Sequence, residues 1–216
     1  MFKVKVEIVT GFLSSGKTAF INSLINKTLI KNEKIVVLFC EQGSRSIDIT
    51  LEEKENINVK YITVNEEITE EMLFDIYKYE KPDRLIIEFN GTKDLKELAT
   101  VINNRIIKKI YRVNTIYNLI DCATFNIFLS NMGSILISPI KYSNIVILNS
   151  RDKVNDKEIN IIKSKILKIN STCYMIEADN TNTIEKVVKE SNLFYIDILD
   201  KLKYKLENYR RKSYGR

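Results

Sequence analysis

The stretch GFLSSGKT, residues 11–18, lies between an apolar segment and a segment with helical spacing of its apolar residues. Residues 4–9 before it are apolar apart from Lys5 and Glu7. Residues 19–25, AFINSLI, repeat apolar side chains with the period of an α-helix. The pattern G-x-x-x-x-G-K-[ST] between a strand and a helix is that of a phosphate-binding loop. The sequence therefore predicts a nucleotide site here, rather than a glycine-rich turn that binds nothing.

Each residue type in this loop suits a task in phosphate binding. Gly11 and Gly16 permit backbone conformations that a side chain would block. The amides of residues 14–18 lie at the start of the next helix, where backbone N–H groups attract anions. We expect Lys17 to reach the β- and γ-phosphates and the Thr18 hydroxyl to bind Mg²⁺. The predicted phosphate-binding residues are Gly11, Ser14, Ser15, Gly16, Lys17 and Thr18.

Composition narrows the class of protein. The chain has 216 residues, of which 44% are hydrophobic and 29% charged, as in an ordinary soluble domain. It contains no apolar run long enough to span a membrane. It contains no histidine, which excludes Ser-His-Asp hydrolases, Cys-His proteases and zinc sites built from histidine. Its three scattered cysteines, Cys40, Cys122 and Cys173, indicate free thiols in a reducing cytoplasm.

The net charge of +6 is confined to the C-terminal segment. Residues 201–216 contain seven basic residues and one acidic residue, so residues 1–200 sum to zero. We therefore expect a nucleotide-binding domain over 1–200 and a basic helix or tail over 201–216. Such a segment suits RNA, an acidic partner or an anionic membrane surface, or is a solvated helix end. The neutral domain itself is not expected to bind nucleic acid.

Strand and helix patterns alternate along the chain, which predicts an α/β fold of the P-loop NTPase type, a mostly parallel sheet with helices on both faces. Strands are predicted at 4–9, 34–40, 59–64, 84–89, 113–120, 144–148 and 172–178. Helices are predicted from the loop to 30 and at 70–79, 95–110, 123–129, 155–169, 183–191 and 194–211, with breaks at Gly133 and Pro139.

Polar residues follow several of these strands, at the sheet edge where such folds bind ligands. Glu88 ends a hydrophobic strand and is predicted to bind Mg²⁺, although it would also suit a surface charge at a strand end. Gly91 would let the backbone approach a γ-phosphate. Glu41 and Asp48 are candidates to contact Mg²⁺ or to align water, with solvated loop positions as the alternative.

Asn149 and Asp152 follow another strand as N-x-x-D. An ionised aspartate only accepts hydrogen bonds, so it matches the paired N1–H and N2–H₂ donors of guanine, which adenine lacks. This favours GTP over ATP. Asp152 would also suit a helix N-cap, because Asn155 and Glu158 follow closely.

Taken together, the motifs resemble the CobW/UreG/HypB type of P-loop GTPases, the metal-homeostasis and metallocentre-assembly group. The resemblance covers residues 4–178 and is carried by five segments in order. These are VTGFLSSGKTAFINSLI (9–25), CEQGSRSID (40–48), IIEFNG (86–91), IYNLIDCATF (116–125) and SNIVILNSRD (143–152).

Two departures from the family's pattern bear on function. The N-K-x-D motif of the family has a lysine whose stem packs over the base, and Ser150 stands there in this chain. CobW-like members carry C-x-C-C before the E-x-x-G segment, and the corresponding residues 61–67, YITVNEE, contain no cysteine.

The resemblance implies a Mg²⁺-dependent GTPase with slow turnover and nucleotide-dependent dimerisation that acts on a client protein. Lys17, Glu41, Asp48 and Glu88 would be its catalytic residues. One alternative is a nucleotide-binding regulatory module with little hydrolysis and no metal-carrier role, and another is an ATP-dependent enzyme. Cys40 is the one thiol placed to carry a metal, with a buried inert thiol as the alternative.

Overall fold

Seven strands form one sheet in which every neighbouring pair runs parallel. The computed structural model describes residues 3–40, 47–63 and 66–194. The spatial order of the strands is β3-β2-β4-β1-β5-β6-β7. The strands are β1 Val4–Gly11, β2 Ile35–Phe39, β3 Ile57–Tyr61, β4 Arg84–Glu88, β5 Tyr111–Asp121, β6 Ile145–Asn149 and β7 Tyr174–Glu177.

Helices connect successive strands, as parallel pairing requires. They are α1 Lys17–Thr28, α2 Ile49–Glu52, α3 Glu70–Asp75, α4 Leu95–Asn103, α5 Ile107–Ile110, α6 Phe125–Tyr142, α7 Asp156–Ile169 and α8 Ile184–Glu190. Helix α3 continues as a π-helical turn, Ile76–Glu80. Short 3₁₀ turns occupy Arg151–Lys153, Thr181–Thr183 and Asn192–Phe194.

Both faces of the sheet are buried, and most side chains of its central strands are apolar. On one face, Phe20 and Leu24 of α1 pack with Ile184 of α8 on the sheet. On the other face, α3, α4 and α5 cover β1, β2 and β4, while α6 and α7 cover β5 and β6. In β6, Ile147 faces the first layer and Leu148 the second. The α/β fold with helices on both faces is therefore confirmed.

The prediction of a single helix over 95–110 is wrong, because the chain turns between α4 and α5 and forms two helices. Asn104 is extended there, and its side-chain oxygen accepts a hydrogen bond from the Ile106 N–H at 2.8 Å. This local turn replaces the helical hydrogen bonds at that point. Strand β3 also lies two residues earlier than predicted.

Helix α6 is longer than the predicted 123–129, with a kink beside the break predicted at Gly133 and no break at Pro139. Its irregularity is at Met132, with φ −136° and ψ 34°, next to Gly133. Pro139 lies in the last turn of the helix, which continues to Tyr142 although the proline has no N–H to donate to the Ile135 carbonyl. The break predicted at Pro139 is therefore wrong.

Among the described residues, the helices are too short or too polar to cross a membrane. The predicted helix over 194–211 and the domain boundary at 200 lie outside the described residues. Both remain predictions.

A buried ionic cluster joins β1, β4 and the end of α1 at the edge of the sheet opposite the loop. Arg84 donates to Glu7 at 3.3 Å, to Thr28 at 2.8 Å and to Glu33 at 2.9 Å. Both carboxylates and the guanidinium are buried. Burial raises the pKa of Glu33, and the charge of Arg84 opposes that rise. One guanidinium thus balances two carboxylates taken out of water.

Replacing Arg84 with leucine should lower the free energy of unfolding by about 3–5 kcal/mol, because two buried carboxylates lose their countercharge. Urea denaturation at neutral pH measures the change. Arg112→Leu, at an exposed position of β5, is the control and should change stability by less than about 0.5 kcal/mol. Equal stability of the two variants would show that the cluster does not need its arginine.

Candidate nucleotide-binding site

The loop after β1 adopts the backbone conformations that its glycines permit. Gly11 has φ +143° and Gly16 has φ +101°, and Ser14 between them is left-handed at φ +62°. A Cβ at Gly11 would lie 2.3 Å from the Leu119 carbonyl oxygen. Gly16 is the N-cap of α1, so the first amides of that helix border the loop. The loop and helix form the anion-binding geometry that the sequence predicts.

Lys17 is folded across this loop. Its Nζ donates to the carbonyl oxygens of Gly11, at 2.9 Å, and Phe12, at 3.1 Å. The Ser15 N–H also donates to Phe12, at 3.2 Å, and the buried Ser15 hydroxyl has no hydrogen-bond partner in the described structure. The ammonium group is thus held at the loop, next to a buried hydroxyl that lacks a partner.

Thr18 and Glu88 meet beside the loop, which is the pairing expected for a magnesium site. The Thr18 hydroxyl donates to Glu88 Oε2 at 3.2 Å. Glu88 is the last residue of β4 and is 2% exposed, so it is not a solvated surface charge. A hydroxyl and a carboxylate oxygen are the kind of ligand that Mg²⁺ prefers. The residues present therefore fit this ion.

Gly91 packs directly on the phosphate loop. A Cβ at this position would lie 2.2 Å from the Gly11 carbonyl oxygen and 2.8 Å from the Phe12 nitrogen. The turn is held by Asn90, whose Oδ1 accepts from the Thr92 N–H and hydroxyl, both at 2.8 Å. The chain after β4 thus touches the loop backbone to backbone, at a distance that only glycine allows.

Asn149 links the loop after β6 to the phosphate loop. Its Nδ2 donates to the Ser15 carbonyl oxygen at 3.0 Å, and its buried Oδ1 has no partner in the described residues. Asp152 lies in the 3₁₀ turn and is exposed. The N-cap of α7 is Asn155, in a capping box with Glu158, so the alternative of Asp152 as that cap is wrong.

Two residues of this crevice, Asn180 and Thr181, were missed by sequence reasoning. They follow β7, and Asn149 Nδ2 also approaches the Thr181 hydroxyl at 3.4 Å. Asn180 Nδ2 donates to Asp152 Oδ2 at 3.4 Å. Backbone hydrogen bonds from Arg151 and Asp152 to residues 178 and 179 hold the two loops together. The sequence signal that could have identified Asn180 and Thr181 is their position directly after a predicted strand.

Two other predicted residues, Asp48 and Glu41, have no described contact with the phosphate loop. Asp48 is exposed, and its carboxylate accepts from the Thr50 N–H, which lowers its pKa. Its own N–H donates to Asn22 Oδ1 of α1 at 3.2 Å. Glu41 lies outside the described residues. The roles proposed for both in contacting Mg²⁺ or water stay predictions.

The cysteines are all free thiols buried in the fold. Cys40 directly follows β2, and its N–H donates to the Glu88 carbonyl oxygen at 3.1 Å. Burial raises the pKa of Cys122 to about 12, which disfavours the thiolate that binds metals. Over residues 3–40, 47–63 and 66–194, no three acidic or cysteine side chains are grouped to hold a metal ion.

Gly91→Ala should weaken nucleotide binding at least about tenfold, because the added methyl group displaces the phosphate loop by steric contact. Titration with a fluorescent nucleotide measures the affinity, and thermal unfolding reports whether the variant is folded. Gly133→Ala is the matched control, since a Cβ there has no neighbour within 4 Å. Unchanged affinity in a folded Gly91→Ala protein would contradict this reading of the contact.

Comparison with known proteins finds relatives over most of this chain. The chain is 22% identical over 235 residues to zinc-regulated GTPase metalloprotein activator 1 of Dictyostelium discoideum, covering 89% of this chain and 49% of that protein. It is 25% identical over 188 residues to the protein of the same name from Schizosaccharomyces pombe, covering 81% and 45%. The chain thus spans about half the length of these curated relatives.

Solved structures show the same fold. The zinc-bound YjiA GTPase from E. coli matches with a TM-score of 0.60 at 20% identity, over 94% of this chain and 70% of that one. The hydrogenase maturation factor HypB from Archaeoglobus fulgidus matches with 0.57 at 18%, over 86% and 87%. The model of the CobW/HypB/UreG nucleotide-binding domain matches residues 5–177, and the chain therefore belongs to this family of P-loop GTPase domains.

Proposed function

We propose that this chain binds GTP with Mg²⁺, hydrolyses it slowly and acts through a partner protein in metal homeostasis. The observation that carries the proposal is the hydrogen bond from Asn149 to the Ser15 carbonyl oxygen. It fixes the N-x-x-D segment against the phosphate loop, so one crevice offers a base-reading group beside a phosphate site. Family membership supports the GTPase chemistry, and the relatives' names support metal homeostasis.

The phosphate loop stabilises the nucleotide phosphates through positive charge and fixed hydrogen-bond donors. Amides at the start of α1 and the Lys17 ammonium neutralise phosphate oxygens, because they are fixed before the ligand arrives. On ligand binding, Lys17 exchanges the carbonyl oxygens of Gly11 and Phe12 for phosphate oxygens. No covalent intermediate is needed, since phosphoryl transfer depends on positioning and electrostatic stabilisation.

Thr18 and Glu88 are the residues that would hold Mg²⁺. When bound, the ion supplies positive charge to the phosphates during transfer. Gly91 brings the backbone after β4 close to the loop, next to the place expected for the γ-phosphate.

Asp48 and Glu41 are proposed to position the attacking water. Asp48 caps α2 through Thr50, which fixes its carboxylate near α1.

The loop after β6 recognises guanine through hydrogen bonds to the edge of the base. The Asp152 carboxylate accepts the paired N1–H and N2–H₂ donors, and Asn180 holds one of its oxygens. The buried Asn149 Oδ1, which has no partner among the described residues, is proposed as a further acceptor. This arrangement discriminates against adenine, because adenine lacks the two adjacent donors.

The relatives suggest the wider setting. Their names concern zinc-regulated activation of metalloproteins, and one solved neighbour is a HypB in complex with nickel. We propose a client protein for this chain and a nucleotide-dependent homodimer, located in the cytoplasm, where buried free thiols persist. Metal carriage by this chain itself is not part of the proposal, because its described residues group no metal ligands.

A regulatory module that binds GTP and hydrolyses little remains the second candidate. Ser150 supports it, because a serine at the position of the family's lysine leaves the face of the base uncovered. The two candidates share the nucleotide site and differ only in turnover.

Asp152→Asn should lower GTP affinity by about tenfold to a hundredfold, as expected for loss of hydrogen bonds to a charged group. The same variant should gain affinity for xanthosine triphosphate, whose O2 accepts from the new amide. Competition titrations with GTP, XTP and ATP measure both effects. Asp75→Asn, on an exposed carboxylate of α3, is the control and should leave the preference unchanged. Equal ATP and GTP affinity in the parent protein would overturn the base assignment.

Single-turnover hydrolysis tests the chemistry. Prebound GTP should release phosphate slowly in the presence of Mg²⁺, and removal of the ion by a chelator should stop the release. Lys17→Ala should lower GTP affinity by about a hundredfold or more, since it removes a charge-assisted contact to phosphate. The exposed Lys31→Ala is its control. GTP that stays intact for hours in the parent protein would favour the regulatory module.

A further inference from the structure

Strand β3 lies at one edge of the sheet, where half of its backbone groups face away from its neighbour β2. The Ile62 N–H, directly after β3, donates to the Phe39 carbonyl oxygen of β2 at 2.8 Å. Because residues of a parallel strand bond to the same neighbour at every second position, the N–H and C=O groups of Val59 and Tyr61 point outward. In the part of the chain that the structure describes, no strand pairs with this edge. Such an edge can accept one more strand.

An open groove of about 610 Å³ lies beside this edge, between β3 and helix α3 with its π-helical turn. Its floor is apolar, formed by Leu38 and Ile62 on the side of the sheet and by Met72 and Ile76 on the side of the helix. A strand added to β3 would therefore have one of its faces over this groove.

Contacts between β3 and the π-helical turn fix the wall of the groove. Asn58 Nδ2 donates to Glu80 Oε2 at 2.7 Å, and Lys60 Nζ pairs with Glu80 Oε1 at 2.7 Å. On the opposite face of β3, the Tyr61 ring stacks on Phe39, with centroids 5.2 Å apart. The edge strand is thus held in place before any partner binds, which lowers the entropy cost of binding.

The carboxylates beside the groove lack countercharges. Residues 66–80 contain six acidic residues and one lysine, for a net charge of −5. Glu71 and Asp75 line the groove, and neither has a hydrogen bond or ion pair within the described structure. Lys60 also lines the groove, but Glu80 already pairs with it. The uncompensated charge at the groove is therefore negative, and a complementary partner is basic.

We propose that an extended basic segment of the client protein adds a strand to the free edge of β3, with alternate lysine or arginine side chains in the groove beside α3. The backbone of the segment bonds to the outward N–H and C=O groups of Val59 and Tyr61. These main-chain bonds supply affinity, and the groove supplies the preference for basic side chains.

The spacing of basic residues in the partner follows from strand geometry. Side chains of a strand alternate between its two faces, so every second residue of the added strand lies on the α3 side. The aliphatic stems of lysine or arginine lie on Met72 and Ile76 there, and their charged ends reach Glu71 and Asp75. The residues between them lie beside Tyr61, which is 54% exposed. The segment therefore alternates basic and apolar residues.

This edge lies two strands from the proposed magnesium site, because Phe39 of β2 pairs with Tyr61 on one side and with Glu88 on the other. The inference rests on the proposed function only in naming the client protein as the source of the segment. Binding of the segment needs no nucleotide, so its failure and a failure of GTP binding are separate results.

Peptide binding followed by nuclear magnetic resonance tests the added strand. The probe is an acetylated peptide of alternating valine and lysine, about seven residues long. It should slow exchange of the Val59 and Tyr61 amides at least about tenfold, while the amides of Asn58 and Lys60, which already bond to β2, change less. A peptide with glutamate in place of lysine should bind at least about tenfold more weakly, because it meets like charges.

Two N-methylated forms of the probe test the backbone pairing. One form carries methyl groups on the valine amides and the other on the lysine amides. Because alternate amides of a strand face opposite edges, only one form should lose affinity, by about tenfold or more. Equal affinities of the two forms would overturn the proposal of an added strand.

Glu71→Lys combined with Asp75→Lys tests the groove, since this variant should prefer the glutamate peptide to the lysine peptide. Glu97→Lys with Glu190→Lys is the matched control, because both residues are exposed on other helices and should leave the preference unchanged. GTP affinity should be the same in both variants, and thermal unfolding checks that they are folded.

Three results would overturn the proposal. The first is no binding of the lysine peptide at millimolar concentration, and the second is an unchanged peptide preference in the folded variant with reversed charges. The third is protection of the Val59 and Tyr61 amides that increases with protein concentration in the absence of peptide, which would assign the edge to a second copy of the chain.

Discussion

The ends of three strands meet at Gly11, and this backbone crowding positions the rest of the site. The Leu119 carbonyl of β5 lies on one side of Gly11, and Gly91 after β4 lies on the other, both closer than a side chain allows. Because the three strands are parallel neighbours, their following loops leave the sheet at one edge. The phosphate loop, Glu88 and the Gly91 turn therefore share one small volume.

The opposite edge of the same strands is fixed by charge rather than by close backbone contact. Arg84 begins β4 and binds Glu7 of β1 and Glu33 after α1. Four residues later β4 ends at Glu88, which meets Thr18 of α1. Both ends of β4 are thus joined to α1, one by a buried ionic cluster and the other by the proposed magnesium pair. This double attachment keeps Thr18 and Glu88 within hydrogen-bonding distance before any ion binds.

The sequence predicted the structural features that depend on interactions between neighbouring residues. The two glycines of the phosphate loop and the helix start at residue 155 depend on backbone conformation within a few residues, so the sequence shows them directly. Asn180 and Thr181 could not be found in this way, because they matter only through contacts with β6 residues about 30 positions earlier. The break in the predicted helix 95–110 was hidden because apolar spacing continues across Asn104.

In the proposed guanine site, Ser150 would change one part of base recognition and leave the other intact. Asn149 binds the phosphate loop through its own side chain, and Asp152 is held by Asn180, so neither contact involves residue 150. The neighbouring Arg151 does not supply a substitute stem over the base, because Glu177, Asp156 and the Val154 carbonyl already bind its guanidinium. Edge recognition is thus separate from packing on the face of the base. We therefore expect the proposed site to prefer guanine with reduced affinity, as would suit a switch that exchanges nucleotide readily.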